Sequence, residues 1–326
     1  MRIAAHKALA DGSALDLVAA ELGRVEGRIA EVIGSREQKL TDISRYLIDA
    51  GGKRVRPAVS MLVFRACGGE DITDIVDLSV SLELIHTATL LHDDIIDSND
   101  TRRGKAAAPL RFGIADTLVA GDFLFSRAFE VCGRFEAKIV AWAADACVQL
   151  TEGEIMQGRF RRNLHASEDD YREIITRKTA SLFAAGTRIA AYLAGMDERC
   201  VTLMRECGHE IGLAFQMIDD VLDVQGDTSR TGKRVGTDLI DGNPSLPIVW
   251  GLELPAVRKA FTTVPAAPAM VAEAIQAIRD ARLPERARNA AAEHASRAVR
   301  IIETLEPSPY RDGLCRLAAE LVERDL

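Results

Sequence analysis

The chain has 326 residues, 48 % of them apolar, and a formal net charge of −8 at pH 7. That length and apolar content bury a large core without disulfides or a structural metal, and the acidic balance argues against nucleic acid as a partner while leaving room for a phosphorylated substrate met by a local basic patch. The cysteines (Cys67, Cys132, Cys147, Cys200, Cys207 and Cys315) form no C-x-x-C pair and read as small buried hydrophobes of a reducing compartment; with no leader-like pattern over Met1 to Ala14 and no run of about twenty apolar residues, the expectation is a cytoplasmic protein with no transmembrane segment.

Helical spacing dominates from Ala14 onward and strand-like alternation is almost absent, so the expected fold class is all-α, with one domain over residues 1–326. After Ser13 as a cap, a stripe from Leu15 through Val18, Leu22, Val25 and Ile29 to Ile33 ends near Gly34. A second helix from about Leu40 closes at Gly51-Gly52, and Pro57 opens the next; the connection Lys53-Arg54-Val55-Arg56 suits an anion as well as it suits a helix dipole. A long helix comes next, from about Ile72 to Asp97, with His86, Leu90, Asp93 and Asp97 on one face, and then the basic run Thr101-Arg102-Arg103-Gly104-Lys105. Helices are expected over Phe112 to Cys132 and Lys138 to Arg162, with Gly121 and Gly153 as close-packing points and the basic end Arg159 to Arg162 complementing a helix terminus. Ser167 with Asp170 forms a capping box for a helix carrying Lys178-Thr179, where a buried lysine wants an anionic partner. Another helix starts near Thr202; Gly226 to Pro247, with Lys233, Arg234 and Asp238, reads as a mobile lid-like loop, and helices recur over Ala269 to Ala281, Glu285 to Leu305 and Tyr310 to Val322.

The chemistry concentrates in two acidic stretches, His92-Asp93-Asp94-Ile95-Ile96-Asp97 and Asp219-Asp220-Val221-Leu222-Asp223. On a helix each would gather three carboxylates at one spot, which is tolerable only if the spot is fully solvated or cations occupy it. One acidic triplet is as readily a solvated face as a site; two copies, each among apolar residues, point to hard divalent cations bridged to a phosphate-bearing substrate. Neither stretch has the alternate oxygens and central glycine of an EF-hand, and the paired Glu-x-x-His of a di-iron bundle is missing.

Together, GGKRVRP at Gly51 to Pro57, ELIHTATLLHDDIID at Glu83 to Asp97, TRRGK at Thr101 to Lys105, KTA at Lys178 to Ala180 and FQMIDDVLD at Phe215 to Asp223 resemble the ordered motifs of the trans-isoprenyl diphosphate synthases, or polyprenyl synthetases, most closely the long-chain all-trans type. The resemblance covers nearly the whole chain and implies an antiparallel helical bundle of the isoprenoid synthase type with a central active-site cavity. It further implies a homodimer that condenses isopentenyl diphosphate head-to-tail onto an allylic diphosphate. By that resemblance Asp93, Asp94, Asp97, Asp219 and Asp223 hold three magnesium ions, with Asp220 nearby; Lys53, Arg56, His86 and Arg103 bind isopentenyl diphosphate; and Arg102, Lys178 and Lys233 face the allylic diphosphate, with Thr179 and Gln216 also at the substrate. The catalytic set so implied is Asp93, Asp94, Asp97, Arg102, Lys178, Asp219 and Lys233. Ala88 and Thr89, one turn before the first aspartate, are small, which implies a tunnel for a long hydrocarbon tail.

One departure stands out: Gly242-Asn243-Pro244-Ser245 lacks the lysine many family members carry after the second motif, which implies either a lower rate or allylic affinity, or compensation by a neighbour such as Arg234. The alternatives are a short- or medium-chain (farnesyl or geranylgeranyl) synthase, or the catalytic subunit of a heteromeric one. A class I terpene cyclase is disfavoured, because its second metal motif usually pairs Asn or Asp with Ser or Thr and Glu.

Overall fold

The computed structural model describes residues 13–52, 54–226 and 235–323; Lys53, Lys233 and Arg234 lie outside the described residues. The Ser13 hydroxyl accepts from the Leu15 amide to start a 3-10 turn, Ala14–Val18, which runs into helix α1, Ala19–Val32. Val25, Ile29 and Ile33 of the expected stripe are buried. Helix α2, Gln38–Ile48, is succeeded by Gly51 at φ +87° and by α3, Val55–Ala66. Pro57 sits in the first turn of α3, where its missing N–H has no intrahelical acceptor to lose.

Helix α4, Thr73–Ile96, is apolar on nearly every side. A helix of that kind belongs in a membrane or in the middle of a large core. By length and composition α4 is apolar enough for the first, but 78 % of its most apolar stretch is buried inside the protein, packed chiefly along α6, Ile114–Cys132. Between them lie a two-stranded hairpin, β1 (Thr101–Arg102) and β2 (Lys105–Ala106), and the short α5, Ala108–Phe112. The helical pattern of the sequence gives no sign of the hairpin. Its turn needs Arg103 at φ 51° and Gly104 at φ 75°, and the Tyr46 hydroxyl pins it to α2 by donating to the Ala106 carbonyl at 2.8 Å.

Helix α7, Ala137–Phe160, leads to α8, Glu168–Ile175, which begins with the expected Ser167/Asp170 capping box. A π turn, Thr176–Ala180, then carries Lys178 and Thr179 into α9, Ser181–Leu193. The long α10, Glu198–Gln225, starts earlier than its apolar spacing indicates, because the Asp197 carboxylate accepts from the Cys200 amide at 2.8 Å and fixes the cap there. α10 packs along α9 and along α15, Leu283–Ile302.

The expectation of an open loop from Gly226 to Pro247 is corrected for its described part. Two short helices, α11 (Thr237–Asp241) and α12 (Leu246–Gly251), form there, and Leu239, Asn243 and Leu246 are buried. Leu239 and Ile248 join Val224 of α10 in a separate apolar cluster with α13 (Pro255–Thr262) and α14 (Pro268–Asp280), so this segment is held by packing. Helix α16, Pro309–Glu323, closes against α3 and α15.

Gly153 is the closest approach that bears on function. A Cβ there would lie 2.5 Å from the Lys178 amide nitrogen, so α7 passes against the π-turn backbone only because the residue is glycine. Gly153→Ala is therefore expected to lower unfolding stability by about 1–3 kcal/mol, the usual cost of overpacking against backbone. Turnover should fall with it as Lys178 shifts. A thermal melt that matches wild type would mean the contact relaxes freely.

Candidate active site

Asp93 and Asp97 share one face of α4, with Asp97 as its last capping residue. Asp94 lies about 100° round the helix from Asp93, and its side chain is fully buried: Oδ1 accepts from Arg102 Nε at 2.8 Å and from Asn99 at 3.2 Å, while Oδ2 is buried without a partner. The expectation that three carboxylates gather at one spot is thus corrected, since adjacent residues of a helix cannot share a face. α10 repeats the arrangement. Asp219 is half-buried, whereas Asp220 is buried and accepts from Gln216 Nε2 at 2.9 Å and from the Leu246 amide at 3.3 Å.

Asp223 has both oxygens engaged by the start of α11, accepting from the Thr237 amide at 3.1 Å and the Asp238 amide at 3.2 Å. That anchors a segment bearing Asp238 and Asp241 between the two acidic stretches. The resulting crowding shows in the acidities. Burial, with Glu154 and Asp97 nearby, pushes Asp93 up to about 6. Burial, with Asp97 and Asp238, likewise pushes Asp241 up to about 6. Asp220 rises to about 8 through burial and the Asp238 charge, and Asp223 moves well above the usual carboxylate range for the same two reasons. Among the described residues no three of His, Cys, Asp and Glu converge closely enough to hold a metal by themselves. All the crowded donors are carboxylate oxygens, and the neighbouring Asp94 adds a buried, unpartnered one; such a set fits hard divalent cations that complete their coordination with phosphate oxygens.

Cations interleave this acidic line. Lys178 Nζ donates to Gln157 at 2.6 Å, pairs with Glu154 and stands 4.0 Å from Asp93. Burial would lower its ammonium, but Asp93 and Glu154 outweigh that and hold it above its ordinary value. Thr179 donates to Gln216 Oε1 at 2.8 Å, which ties the π turn to the second acidic stretch. Arg161 pairs with Asp97 while its Nε donates to Asn243 Oδ1 at 3.0 Å. Arg162 binds the Phe261 carbonyl at 2.9 Å and the Ile240 carbonyl at 2.6 Å. These two arginines correct the expectation that Arg159 to Arg162 only complement a helix end. Arg161 also supplies a charge beside Asn243, where the sequence shows one missing.

On the other side of α4, Arg56 has a buried, unpartnered Nε, lies 4.9 Å above the Phe183 ring and feels the charges of Glu83 and Asp219. Arg103 reaches the Gly51 carbonyl, and burial lowers its guanidinium. Arg54, by contrast, is buried in an ion pair with Glu83 at 2.6 Å and a second with Glu26, so it braces α3 against α4 and α1. His86 is half-buried, and its partial burial together with Arg56, Arg103 and Arg102 moves its pKa well below the ordinary value. Ala88 is fully buried, while Thr89 is half-buried with its hydroxyl turned back to the His86 carbonyl at 2.8 Å.

A family model described as polyprenyl synthetase matches residues 37–279. The chain belongs to the polyprenyl synthetase family. Octaprenyl diphosphate synthase of Escherichia coli (strain K12) is 33 % identical over 316 residues, covering 95 % of this chain and 98 % of that one. A short chain isoprenyl diphosphate synthase of Methanothermobacter thermautotrophicus is 35 % identical over 308 residues, covering 91 % and 94 %. Among solved structures, a polyprenyl synthase from Caulobacter crescentus CB15, complexed with calcium and isoprenyl diphosphate, superposes with a TM-score of 0.91 at 33 % identity, covering 97 % of this chain and 99 % of that one. This polyprenyl synthetase is accordingly a prenyltransferase with the all-α isoprenoid synthase fold.

Sequence reasoning passes over Glu154, Gln157, Arg161 and Asp241. Glu154 and Gln157 stand at i and i+3 on one face of α7, and Arg161 follows as its C-terminal capping residue; that spacing is the available clue.

Because the folded-state pKa of His86 is lowered, the unfolded chain binds the extra proton. Stability is unaffected above the unfolded value of about 6.5 and falls as pH drops below it, by up to about 1.4 kcal/mol per pH unit for one histidine. His209, also lowered by burial, contributes in the same sense. His86→Gln should therefore flatten, without abolishing, the loss of stability between about pH 6.5 and 5 in denaturant titrations. An unchanged slope would mean that His86 protonates without cost.

Proposed function

We propose that this chain is a long-chain all-trans polyprenyl diphosphate synthase, acting as one isoprenoid synthase domain that condenses isopentenyl diphosphate onto an allylic diphosphate. The observation that carries the proposal is the continuous line of crowded carboxylates, from Asp93 and Asp97 through Asp241 and Asp238 to Asp223, interleaved with Lys178 and Arg161 in a member of this family. In this reading Asp93, Asp97, Asp219 and Asp223 hold magnesium, three ions in all. Bound there, magnesium supplies Lewis-acid stabilisation to the departing diphosphate.

Arg102, oriented by Asp94, and Lys178, with Lys233, hold the allylic diphosphate through charge-assisted hydrogen bonds that strengthen as its carbon–oxygen bond breaks. Arg56, Arg103 and Lys53, with a neutral His86, hold isopentenyl diphosphate, and the unpartnered Arg56 Nε is a donor ready for it. The isopentenyl double bond attacks the allylic carbon to form the new carbon–carbon bond, and a proton leaves the resulting cation for the released diphosphate. No carboxylate has to act as a base.

Two copies are proposed to associate through α6. Ile114 is 64 % exposed and Val119 53 %, with Leu118 and Phe129 beside them and Leu110 of α5 adjoining, an apolar face that a lone subunit leaves in water. Sedimentation should give twice the chain mass for wild type and the chain mass for Val119→Asp; a monomeric wild type overturns this. Buried thiols such as Cys67 and Cys207 suit a cytoplasmic location.

Incubation of the purified chain with magnesium, labelled isopentenyl diphosphate and each allylic primer should give products well beyond farnesyl length, and Asp93→Ala or Asp219→Ala should abolish them in folded protein. Thr89, less enclosed than Ala88, is the better position at which to block the tail: Thr89→Phe should shorten the product. A wild-type enzyme that stops at farnesyl or geranylgeranyl diphosphate would favour the short-chain reading.

In this reading Arg161, which donates to Asn243 and pairs with Asp97, supplies the charge that the missing lysine would bring, so Asn243→Lys should bring no gain in allylic affinity. Arg161→Gln should lower turnover about tenfold or more, corresponding to a charged hydrogen bond of about 1.5–3 kcal/mol. Full activity in that variant would mean the charge acts only on folding.

A further inference from the structure

A cavity of about 540 Å³ opens between α7, α9, α10 and α15, away from the acidic line. Thr176 lines it, two residues before Lys178. Four arginines from three helices face this space, Arg188, Arg205, Arg297 and Arg300, and their pairing is uneven. Arg297 is neutralised by Glu210 at 2.8 Å, which His294 also contacts at 2.7 Å. Arg205 and Arg300 are both exposed to solvent, and their side chains make no hydrogen bond or ion pair among the described residues. Arg188 stacks 3.8 Å from the centre of the Trp142 ring with its Nε buried and unpartnered. Burial and the Arg205 charge both oppose its guanidinium, so the two cations stand close enough to repel.

The carboxylates nearby supply only part of the missing charge: Glu198 and Asp145 favour the Arg188 guanidinium, yet neither is hydrogen-bonded to it. Asp145 accepts from Gln149 at 2.6 Å, Glu206 is exposed, and neither forms an ion pair with these arginines. His209, four residues after Arg205, is held below its ordinary pKa by burial, and Lys138, 4.9 Å from the Trp142 ring, is already paired with Glu198 at 3.0 Å. Ala146, Ala184, Leu203 and Ile301 give the wall an apolar part, beside the polar Ser181 and Thr304. Unpaired guanidinium forks on separate helices match the oxygens of a phosphate group, and the apolar wall matches a short hydrocarbon beside it.

We propose that this cavity is a binding site for a phosphate- or diphosphate-bearing amphiphile, held by Arg188, Arg205 and Arg300. Its occupant needs no divalent cation, since the protein supplies the positive charge, and this separates it from the acidic site.

Trp142 provides the readout. The chain has two tryptophans, so Trp250→Phe leaves Trp142 as the only one. In that protein, with EDTA present, inorganic diphosphate should change Trp142 emission saturably, and geranyl diphosphate should do so at lower concentration. The response should persist unchanged when Asp219→Ala is added. Arg188→Gln with Arg205→Gln should weaken it at least tenfold, and Ala184→Phe, which fills the cavity and keeps the charges, should abolish it, with circular dichroism confirming the fold of each. A response that is missing, that survives both changes, or that sodium chloride of equal ionic strength reproduces would overturn the proposal. Equal potency of inorganic and geranyl diphosphate would remove the apolar wall from the site.

Discussion

Carboxylates that must sit close together without water are the constraint on which most of this architecture depends. Burial raises the carboxyls of Asp93, Asp241 and Asp223, and the charges of Asp97 beside Asp93 and Asp241 and of Asp238 beside Asp241 and Asp223 raise them further. Such an arrangement stands only where cations offset it. Lys178 and Arg161 do so along the line, and Arg102 does so beneath it at Asp94. Each cation reaches in from a different element: the π turn, the end of α7 and the β-hairpin. The irregular parts of the fold are therefore the parts that deliver positive charge to a regular acidic scaffold.

The scaffold is stiff because α4 is enclosed. A helix packed on nearly all sides cannot tilt to relieve repulsion at its end, so Asp93 and Asp97 keep their positions whether or not a counter-charge is present. The buried Arg54 pairs with Glu83 and Glu26 in a similar sense: removing one partner would strand a buried charge, so the joint between α1, α3 and α4 is fixed by the cost of breaking it.

Much of this is legible in the sequence, and for identifiable reasons. α1, α4, α6 and α7 announce themselves by apolar spacing, and the paired acidic stretches stand out because like charges among apolar residues call for an explanation. The hairpin and the π turn escape because tertiary contacts fix them, the first through Tyr46 and the second through the approach of Gly153. Arg161 escapes because a basic residue at a helix end already has an adequate local account in the dipole. Asn243 looks like a loss because the cation beside it, Arg161, comes from a position 82 residues away in the chain. The apolar pattern starts α10 too late because its cap, Asp197, precedes that pattern rather than belonging to it.

The π turn bears on how the chain tolerates length change. An α-helix turns by about 100° per residue, so the extra residue within Thr176–Ala180 sets the angular phase between α8 before it and α9 after it. Lys178 faces the acidic line, while Arg188, further along the same rod, faces the cavity behind it. Deleting one residue here would leave an uninterrupted helix and rotate one of these side chains away from its partners. The segment acts as a phase adjuster between two faces of one rod, and a single-residue deletion there would be felt on both sides of the bundle at once.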